Sequence, residues 1–212
     1  ESIPAIDVRP ATGQLYGLGS SSRIYVINPA NGIARAIGAA SFTPALSGNI
    51  AAFDFNPTVD RIRIITSSGQ NLRANPETGA IAFVDGSING QPGAIMAGAA
   101  YTNNFAGSTA TTLFDIDRES NSLYTQIPPN NGTVNLVGAL GVDVEDGGFD
   151  IAGAGDAFGL FTINGRSTLT AINLTTGQAN VITPYPAGVN YRGLAIATAP
   201  VAYAVDGSNN LH

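Results

Sequence analysis

The fold is decided by two adjacent segments, IDVRPATGQLYGL (Ile6–Leu18) and RIYVINPANGIARAI (Arg23–Ile37). Each reads as two short strands around a turn, because apolar runs rich in Val, Ile, Tyr and Phe are typical of strands. In the turn NPANG (residues 28–32), proline fixes φ near its turn value and glycine permits a positive φ. Together the two segments predict one four-stranded antiparallel unit.

The same unit recurs along the chain. Further copies begin with AFDFNPTVDRIRII, AGAAYTNNFAGSTATTLFDI, GFDIAGAGDAFGLFTI and GLAIATAPVAYAV, at residues 52, 97, 148 and 193. The glycines that close the second turn of four copies lie 47, 53 and 45 residues apart: Gly32, Gly79, Gly132 and Gly177. Four-stranded propeller blades recur with a period of roughly 40–50 residues, whereas a β-sandwich has no such period. The sequence therefore predicts an all-β, five-bladed β-propeller.

The copies predict a single propeller domain over residues 1–212 whose fifth blade is incomplete. The predicted antiparallel blades span residues 6–38, 49–87, 95–140, 147–185 and 191–212, and the last has two strands and the start of a third. An open blade exposes a strand edge that can pair with another chain. Either a neighbouring chain supplies the missing strands, or the sequence is a truncated form.

If a neighbouring chain supplies them, the segment VAYAVDGSNNL carries the interface. The predicted interface residues are Val201, Tyr203, Val205, Asn209, Asn210 and Leu211. Donation of a strand from head to tail joins unlike surfaces and therefore builds rings or filaments. The predicted partner is the chain itself, as a homo-oligomer or filament.

Missing residue types exclude several mechanisms. The chain has no Cys and no Lys, and its one His is His212. These absences rule out disulfides, thiolate metal sites, a Schiff-base lysine and a credible Ser-His-Asp triad. Charged residues make up 11% and the net charge is −6, which argues against nucleic acid as a partner. No apolar run approaches the roughly 18 residues that membrane insertion requires.

Three copies place an aspartate at the same point of the first strand: Asp7, Asp54 and Asp150. First strands of propeller blades line the central channel, where ligands commonly bind. Three converging carboxylates could hold Ca²⁺, and two could act as a glycosidase pair. Alternatively, each accepts hydrogen bonds from the turn that follows it. The nearby Arg9-Pro10 and Asn56-Pro57 favour the turn interpretation.

Two other charged groups are candidate binding sites. Asp143, Glu145 and Asp146 form the densest acidic stretch, which resembles a loose Ca²⁺ loop without EF-hand spacing, and a solvated acidic loop is the favoured alternative. Arg61 and Arg63 share one face of a strand and could bind an anionic ligand. The favoured alternative for both arginines is pairing with a strand-borne carboxylate such as Asp54 or Asp60. No cofactor other than Ca²⁺ is predicted.

The segments IDVRPATGQLYGLGS, FDFNPTVDRIRIITSSGQNLRANPETGAI, AAYTNN and PPNNGTVNLVGALGV resemble a bacterial domain family of unknown function that occurs in exported proteins. The resemblance covers nearly the whole chain. It implies a propeller-like β-fold and an extracellular or cell-surface location, and it implies no activity. In the family, a segment like VAYAVDGSNNL opens the domain, so this sequence resembles a permuted domain or a piece of a tandem array.

Three functions remain open from the sequence. The preferred one is a non-catalytic structural or self-assembly role outside the cell. The second is a glycan- or protein-binding module that uses the channel mouth, with Phe105, Phe158 and Tyr185 as candidate loop aromatics. The third is a carboxylate- or calcium-dependent hydrolase, which needs two carboxyl groups about 5–9.5 Å apart in an open cleft.

Overall fold

The computed structural model describes residues 1–197, 202–208 and 210, and of residues 202–204 it describes the backbone. Strands dominate these residues, and the one helical segment among them is a 3-10 turn at Pro129–Asn131. Among the same residues, no helix has the length and apolar character that crossing a membrane requires.

Four antiparallel sheets each contain four strands, in which neighbours in sequence are neighbours in space. The first sheet contains β1 (Ala5–Val8), β2 (Leu15–Gly19), β3 (Arg23–Ile27) and β4 (Ala34–Ala36). The second contains β5 (Ile50–Asn56), β6 (Arg61–Thr66), β7 (Asn71–Ala74) and β8 (Ile81–Val84). The third contains β9 (Met96–Tyr101), β10 (Leu113–Asp117), β11 (Ser122–Gln126) and β12 (Val134–Ala139). The fourth contains β13 (Gly147–Ile151), β14 (Ala157–Ile163), β15 (Arg166–Ile172) and β16 (Ala179–Pro184).

A fifth sheet contains β17 (Tyr191–Ile196) and β18 (Ala202–Asp206). The first strands of all five sheets stand side by side in a ring, because β1, β5, β9 and β13 contact one another in order and β17 contacts both β13 and β1. Sheets that radiate in sequence order around a central channel define a β-propeller. The prediction of an all-β propeller with four-stranded antiparallel blades is thus confirmed for the first four sheets.

The turn signals of the sequence form the turns that were expected. In the first blade, Asn28 Oδ1 accepts a hydrogen bond from the N–H of Ala30 at 3.0 Å, and Gly32 closes the turn with a φ of 69°. The second blade repeats this arrangement with Asn75 and Gly79, whose φ is 70°. Asparagine side chains that accept from the backbone two residues on are the local reason why these segments turn.

The core lies between the blades. Four clusters of buried apolar side chains fill the spaces between the first and second, second and third, third and fourth sheets, and between the first and fifth. Between the first two blades, for example, the rings of Tyr16 and Phe55 meet edge to face with centroids 5.1 Å apart. Each sheet therefore buries its faces against its neighbours, which is how a propeller stabilises blades that could not fold alone.

A small residue in every inner strand lets the ring close tightly. It lies two positions before the level of the three aspartates, at Ala5, Ala52, Gly98, Gly148 and Gly193. A Cβ at Gly148 would lie 2.3 Å from the backbone nitrogen of Leu194, and a Cβ at Gly98 would lie 2.6 Å from the Cβ of Phe149. Larger side chains at these two glycines would push neighbouring inner strands apart.

Candidate functional site

The structure brings Asp7, Asp54 and Asp150 together at the centre of the propeller. They lie on the inner strands β1, β5 and β13, and one carboxylate oxygen from each lies within 4.8 Å of the others. Each residue is 1% exposed. The inner strands β9 and β17 carry Ala100 and Ala195 at the same level. We call the three residues the aspartate triad.

Each carboxylate of the aspartate triad accepts a hydrogen bond from the next inner strand of the ring. The donor is the N–H of Phe55 for Asp7 (2.7 Å), of Tyr101 for Asp54 (2.9 Å) and of Ile196 for Asp150 (2.5 Å). These N–H groups belong to the free edges of the inner strands, where a buried donor without a partner is costly. The triad thus holds neighbouring blades together and does not bond the turns that follow its own strands.

Two of the three aspartates also accept a hydrogen bond from a backbone N–H of their own strand. Asp7 Oδ1 accepts from the N–H of Val8, and Asp150 Oδ1 accepts from the N–H of Ile151, each at 2.6 Å. The preceding inner strands carry alanine at this level, so no carboxylate reaches these two N–H groups from the neighbouring blade. Both oxygens of Asp7 and Asp150 are therefore acceptors, whereas Asp54 accepts one backbone hydrogen bond, at Oδ1.

Burial and mutual repulsion favour the protonated forms of these acids. Burial, together with the negative charge of Asp150, raises the pKa of Asp7 well above its ordinary value. Burial and the charges of Asp7 and Asp150 do the same to the pKa of Asp54. Burial raises the pKa of Asp150 to about 7, although its two backbone hydrogen bonds oppose the shift. Such a cluster takes up protons or a hard divalent cation, because either one offsets the buried charge.

The aspartate triad is the one group of three carboxylates in the described part of the chain whose oxygens converge closely enough to share a metal ion. It does not resemble a glycosidase pair, because its oxygens are close together and neither cavity of the channel is lined by a triad residue. The geometry therefore gives no support to the hydrolase hypothesis.

A cavity of about 760 Å³ opens at the end of the channel where the inner strands begin. Its wall includes Ala51, Ala97 and Gly147, which lie at the beginning of β5, β9 and β13. Deeper in the channel, a space of about 20 Å³ between Gly98, Gly148 and Gly193 has room for one water molecule. The channel thus narrows sharply between the wide cavity, which we call the mouth, and the aspartate triad.

The mouth presents polar side chains that have no partner among the residues that the structure describes. Among the described residues, the side chains of Asn49, Glu145, Asn190 and Arg192 make no hydrogen bond or ion pair. Unpaired donors and acceptors that converge on a cavity are typical of ligand sites.

The two arginines of β6 have different roles. Arg63 is 1% exposed and links the second and third blades: it donates to Asp85 Oδ2 at 2.5 Å, to Asn130 Oδ1 at 2.9 Å and to the hydroxyl of Tyr101 at 3.2 Å. Arg61 donates to the backbone oxygen of Asp60 at 2.9 Å. The structure therefore gives Arg63 a structural role, with a carboxylate partner different from Asp54.

The sequence predicted Asp54 or Asp60 as the carboxylate partner of Arg63, but the structure pairs it with Asp85. The carboxylate of Asp60 bonds Arg9 of the first blade, with Nε and Oδ1 2.9 Å apart. Asp85 lies just after β8 and also accepts from Arg73 at 2.7 Å. No sequence pattern marks Asp85, because it reaches Arg63 through the packing of loops.

Another carboxyl that the sequence did not single out is Asp115 on β10. It is 0% exposed, and neither of its oxygens has a hydrogen-bond partner among the residues that the structure describes. Burial raises the pKa of Asp115 to about 8, and the charge of Arg63 opposes this shift. The acid is therefore largely protonated at neutral pH.

The acidic stretch between β12 and β13 does not converge on a point. Asp143 accepts from Asn121 Nδ2 at 2.9 Å, and Asp146 accepts from Arg118 at 2.6 Å. Glu145 is exposed and lines the mouth. This stretch contributes to the rim of the mouth.

The predicted assembly residues are described only in part. Val201, Asn209 and Leu211 lie outside the described residues, as does the side chain of Tyr203, whose backbone belongs to β18. Val205 is buried in the apolar cluster between the first and fifth sheets. Asn210 is exposed, and its amide donates to Asp206 Oδ2 at 2.9 Å.

The aromatic residue that reaches the mouth is Tyr191, which the sequence did not single out. Of the candidate loop aromatics, Tyr185 packs edge to face against Tyr191, with ring centroids 4.9 Å apart. Phe105 is 45% exposed but does not line the mouth, and neither does Phe158, which lies within β14.

Solved structures share the fold of this chain. Kuenenia stuttgartiensis hydrazine synthase aligns with a TM-score of 0.53 and 9% identity, over 97% of this chain and 56% of that one. A structural genomics protein of unknown function from Bacteroides thetaiotaomicron VPI-5482 aligns with a TM-score of 0.54 and 16% identity, over 91% of this chain and 53% of that one. At these identities the likeness concerns the fold alone, and this chain spans little more than half the length of either.

No curated protein matches the sequence. A family model does match nearly all of it, as the sequence motifs predicted. The chain belongs to the family described as Domain of unknown function (DUF4394), whose model covers residues 1–195.

Proposed function

We propose that this propeller is a non-catalytic binding module that acts outside the cell and takes a glycan or protein ligand in the mouth. The observation that carries the proposal is the cavity of about 760 Å³ with its unpaired polar side chains. Ligand pockets typically measure about 300–1,000 Å³ and contain a few convergent polar groups. The buried aspartate triad and the lack of Cys, Lys and a central His favour binding over catalysis.

The extracellular or cell-surface location rests on composition and on the resemblance to exported proteins. Charged residues are 11% of the chain and all nine basic residues are Arg. The surface is therefore dominated by Ser, Thr, Asn, Gln and Gly. Secretion can be tested by fractionating the source cells and locating the protein with an antibody.

Filling the mouth tests the binding proposal. We expect Asn49→Trp, at the exposed rim, to abolish ligand binding by occupying the cavity. Asn180→Trp is the matched control, because Asn180 is exposed on the outer strand β16, away from the mouth. Labelled protein is applied to glycan and peptide arrays, and folding is checked by circular dichroism. If wild type and Asn49→Trp give the same binding pattern, the mouth is not the ligand site.

Self-assembly is a second candidate function, and a feature of the fifth sheet favours it. The N–H of Asp206 donates to the backbone oxygen of Asn210 at 3.0 Å, so the chain turns back after β18 as it does between paired strands elsewhere. We infer that β17 and β18 are the inner half of a fifth blade, whose outer strands a second copy of the chain donates. Strand addition of this kind uses backbone hydrogen bonds along an open edge.

The mass of the native particle in solution tests this assembly. Light scattering and negative-stain images are expected to give rings or filaments, because donated strands join unlike surfaces. Removal of residues 201–212 should return the protein to single particles. The matched control is Asn180→Ala, which leaves the fifth sheet intact. A monomer near 22 kDa in the untruncated protein would contradict assembly, since the chain mass is 21.6 kDa.

A further inference from the structure

We propose that the ligand in the mouth is a neutral saccharide. This inference rests on the proposed binding function and names the class of ligand for the same site. It combines three properties of the mouth: balanced charge, unpaired hydrogen-bonding groups of both kinds, and an aromatic ring held at the wall.

The charges that line the mouth cancel among the residues that the structure describes. Arg118 and Arg192 contribute two positive charges, and Glu145 and Asp146 contribute two negative ones. Arg118 and Asp146 already form an ion pair at 2.6 Å. A site for a phosphate-rich or acidic ligand would carry an excess of arginine, and a site for a cationic ligand would carry an excess of carboxylates. The balance in the mouth suits a ligand without net charge.

The unpaired side chains match the chemistry of hydroxyl groups. Each hydroxyl of a sugar both donates and accepts a hydrogen bond. The amides of Asn49 and Asn190 offer both donors and an acceptor, Glu145 offers acceptors and Arg192 offers donors. Asn49 lies just before β5 of the second blade, and Glu145 lies just before β13 of the fourth. Asn190 and Arg192 lie on either side of Tyr191, the first residue of β17. A ligand with hydroxyls on several sides can therefore bond to different walls.

An aromatic ring supplies the apolar contact that a sugar face needs. Tyr191 lines the mouth, and Tyr185 packs edge to face against it. The contact with Tyr185 limits the orientations of the Tyr191 ring before any ligand binds. A fixed ring can cover the C–H face of a saccharide, and Tyr keeps a polar end in contact with water.

The shape of the mouth favours the end of a saccharide chain over a polymer that passes through the channel. Below the mouth, the channel narrows to a space for one water molecule among Gly98, Gly148 and Gly193. An extended peptide is usually bound along an open strand edge or in a groove open at both ends. The mouth instead narrows sharply at its base, which suits a terminal sugar or a short oligosaccharide.

The test uses the intact protein on an array of neutral saccharides, acidic saccharides and peptides, followed by calorimetry with the best binder. We expect neutral saccharides to bind, with an affinity that changes less than about twofold between roughly 50 and 500 mM NaCl, because salt screens charge pairs and leaves neutral contacts intact. Tyr191→Ala and Arg192→Ala should each weaken binding about tenfold, the scale of one well-placed contact.

The variants and controls separate this inference from the proposed function. Arg192 is exposed, so its replacement leaves the core unchanged and covers the case in which Tyr191→Ala does not fold. Asn180→Ala is the control outside the mouth and should bind as wild type. Mouth-dependent binding of peptides or acidic saccharides alone would overturn the saccharide inference and keep the binding function. If no ligand of any class distinguishes wild type from Asn49→Trp, both are wrong.

Discussion

Replacing Arg63 with methionine is expected to lower the free energy of unfolding by about 3–5 kcal/mol, the usual cost of removing one partner from a buried ion pair. Arg63 is 1% exposed, and its guanidinium contacts Asp85, Asn71, Asn130 and Tyr101. Methionine fills a similar volume but donates no hydrogen bond. The buried side chains of Asn71 and Tyr101 lose this donor and cannot replace it with water, and Asp85 keeps only Arg73.

Arg73→Met is the matched comparison. Arg73 also bonds Asp85, through Nε at 2.7 Å and Nη2 at 2.9 Å, but its side chain is 19% exposed. Its removal leaves Asp85 paired with Arg63, so we expect a loss of only about 1 kcal/mol. Both arginines bond to the same carboxylate. The difference between the two losses of unfolding free energy therefore measures how much burial strengthens an ion pair.

Urea unfolding followed by circular dichroism provides the measurement, since the chain has no Trp to report by fluorescence. The midpoints are compared at constant m-value, so that a shift reports stability and not a change in the unfolded state. Equal losses for Arg63→Met and Arg73→Met would show that the link between the second and third blades does not depend on Arg63.

The sequence was sufficient for the architecture because the signals were local. The turn at Asn28 and Gly32 carries its own hydrogen bonds and φ requirement, and its copies recur at the period of a blade. The position of the aspartate triad followed from the same repeat, since equal positions in equivalent strands meet at the centre of a ring. Local chemistry and its repetition are both visible in one dimension.

The contacts that give the site its properties were not visible in this way. The sequence favoured hydrogen bonds that each Asp accepts from the turn after its own strand, whereas Asp54 accepts from Tyr101 on the neighbouring blade. Asp85 contacts Arg63 through the loop that follows β8, and Tyr191 lies at the mouth because it begins the inner strand β17. One further signal was present in the sequence. Each of the five inner strands has Ala or Gly two residues before the position that Asp occupies in three of them.

The aspartate triad leads us to expect that the protein loses stability as the pH rises from about 4 to about 7. An unfolded aspartate releases its proton near pH 3.8, whereas burial holds the pKa of Asp150 at about 7 and raises those of Asp7 and Asp54. Between these limits the folded chain binds more protons than the unfolded one, so the free energy of unfolding falls as pH rises. The slope is roughly 1.4 kcal/mol per pH unit for each such carboxyl.

Two substitutions separate the triad from other acids, such as Asp115, whose raised pKa gives a slope of the same sign. Asp54→Asn should reduce the slope and raise stability at pH 7.5, because the amide keeps an oxygen for the N–H of Tyr101 and adds no charge. Asp150→Asn should lose about 1–3 kcal/mol even at pH 5, since its NH₂ must face a backbone N–H, of either Ile151 or Ile196. The opposite outcomes follow from one backbone hydrogen bond at Asp54 and two at Asp150.

Urea unfolding between pH 4.5 and pH 8 in a chelating buffer gives the slopes, and a second series with Ca²⁺ tests whether a cation replaces the protons. A bound cation would remove the loss of stability near neutral pH in the wild type and have little effect on Asp54→Asn, which lacks one of the three carboxylates. Equal slopes for wild type and Asp54→Asn, with and without Ca²⁺, would mean that the triad does not titrate in this range. The three acids would then have to be stabilised as anions by the five inner-strand N–H groups alone, which would make the inner edges of the blades the main source of positive potential at the centre of the ring.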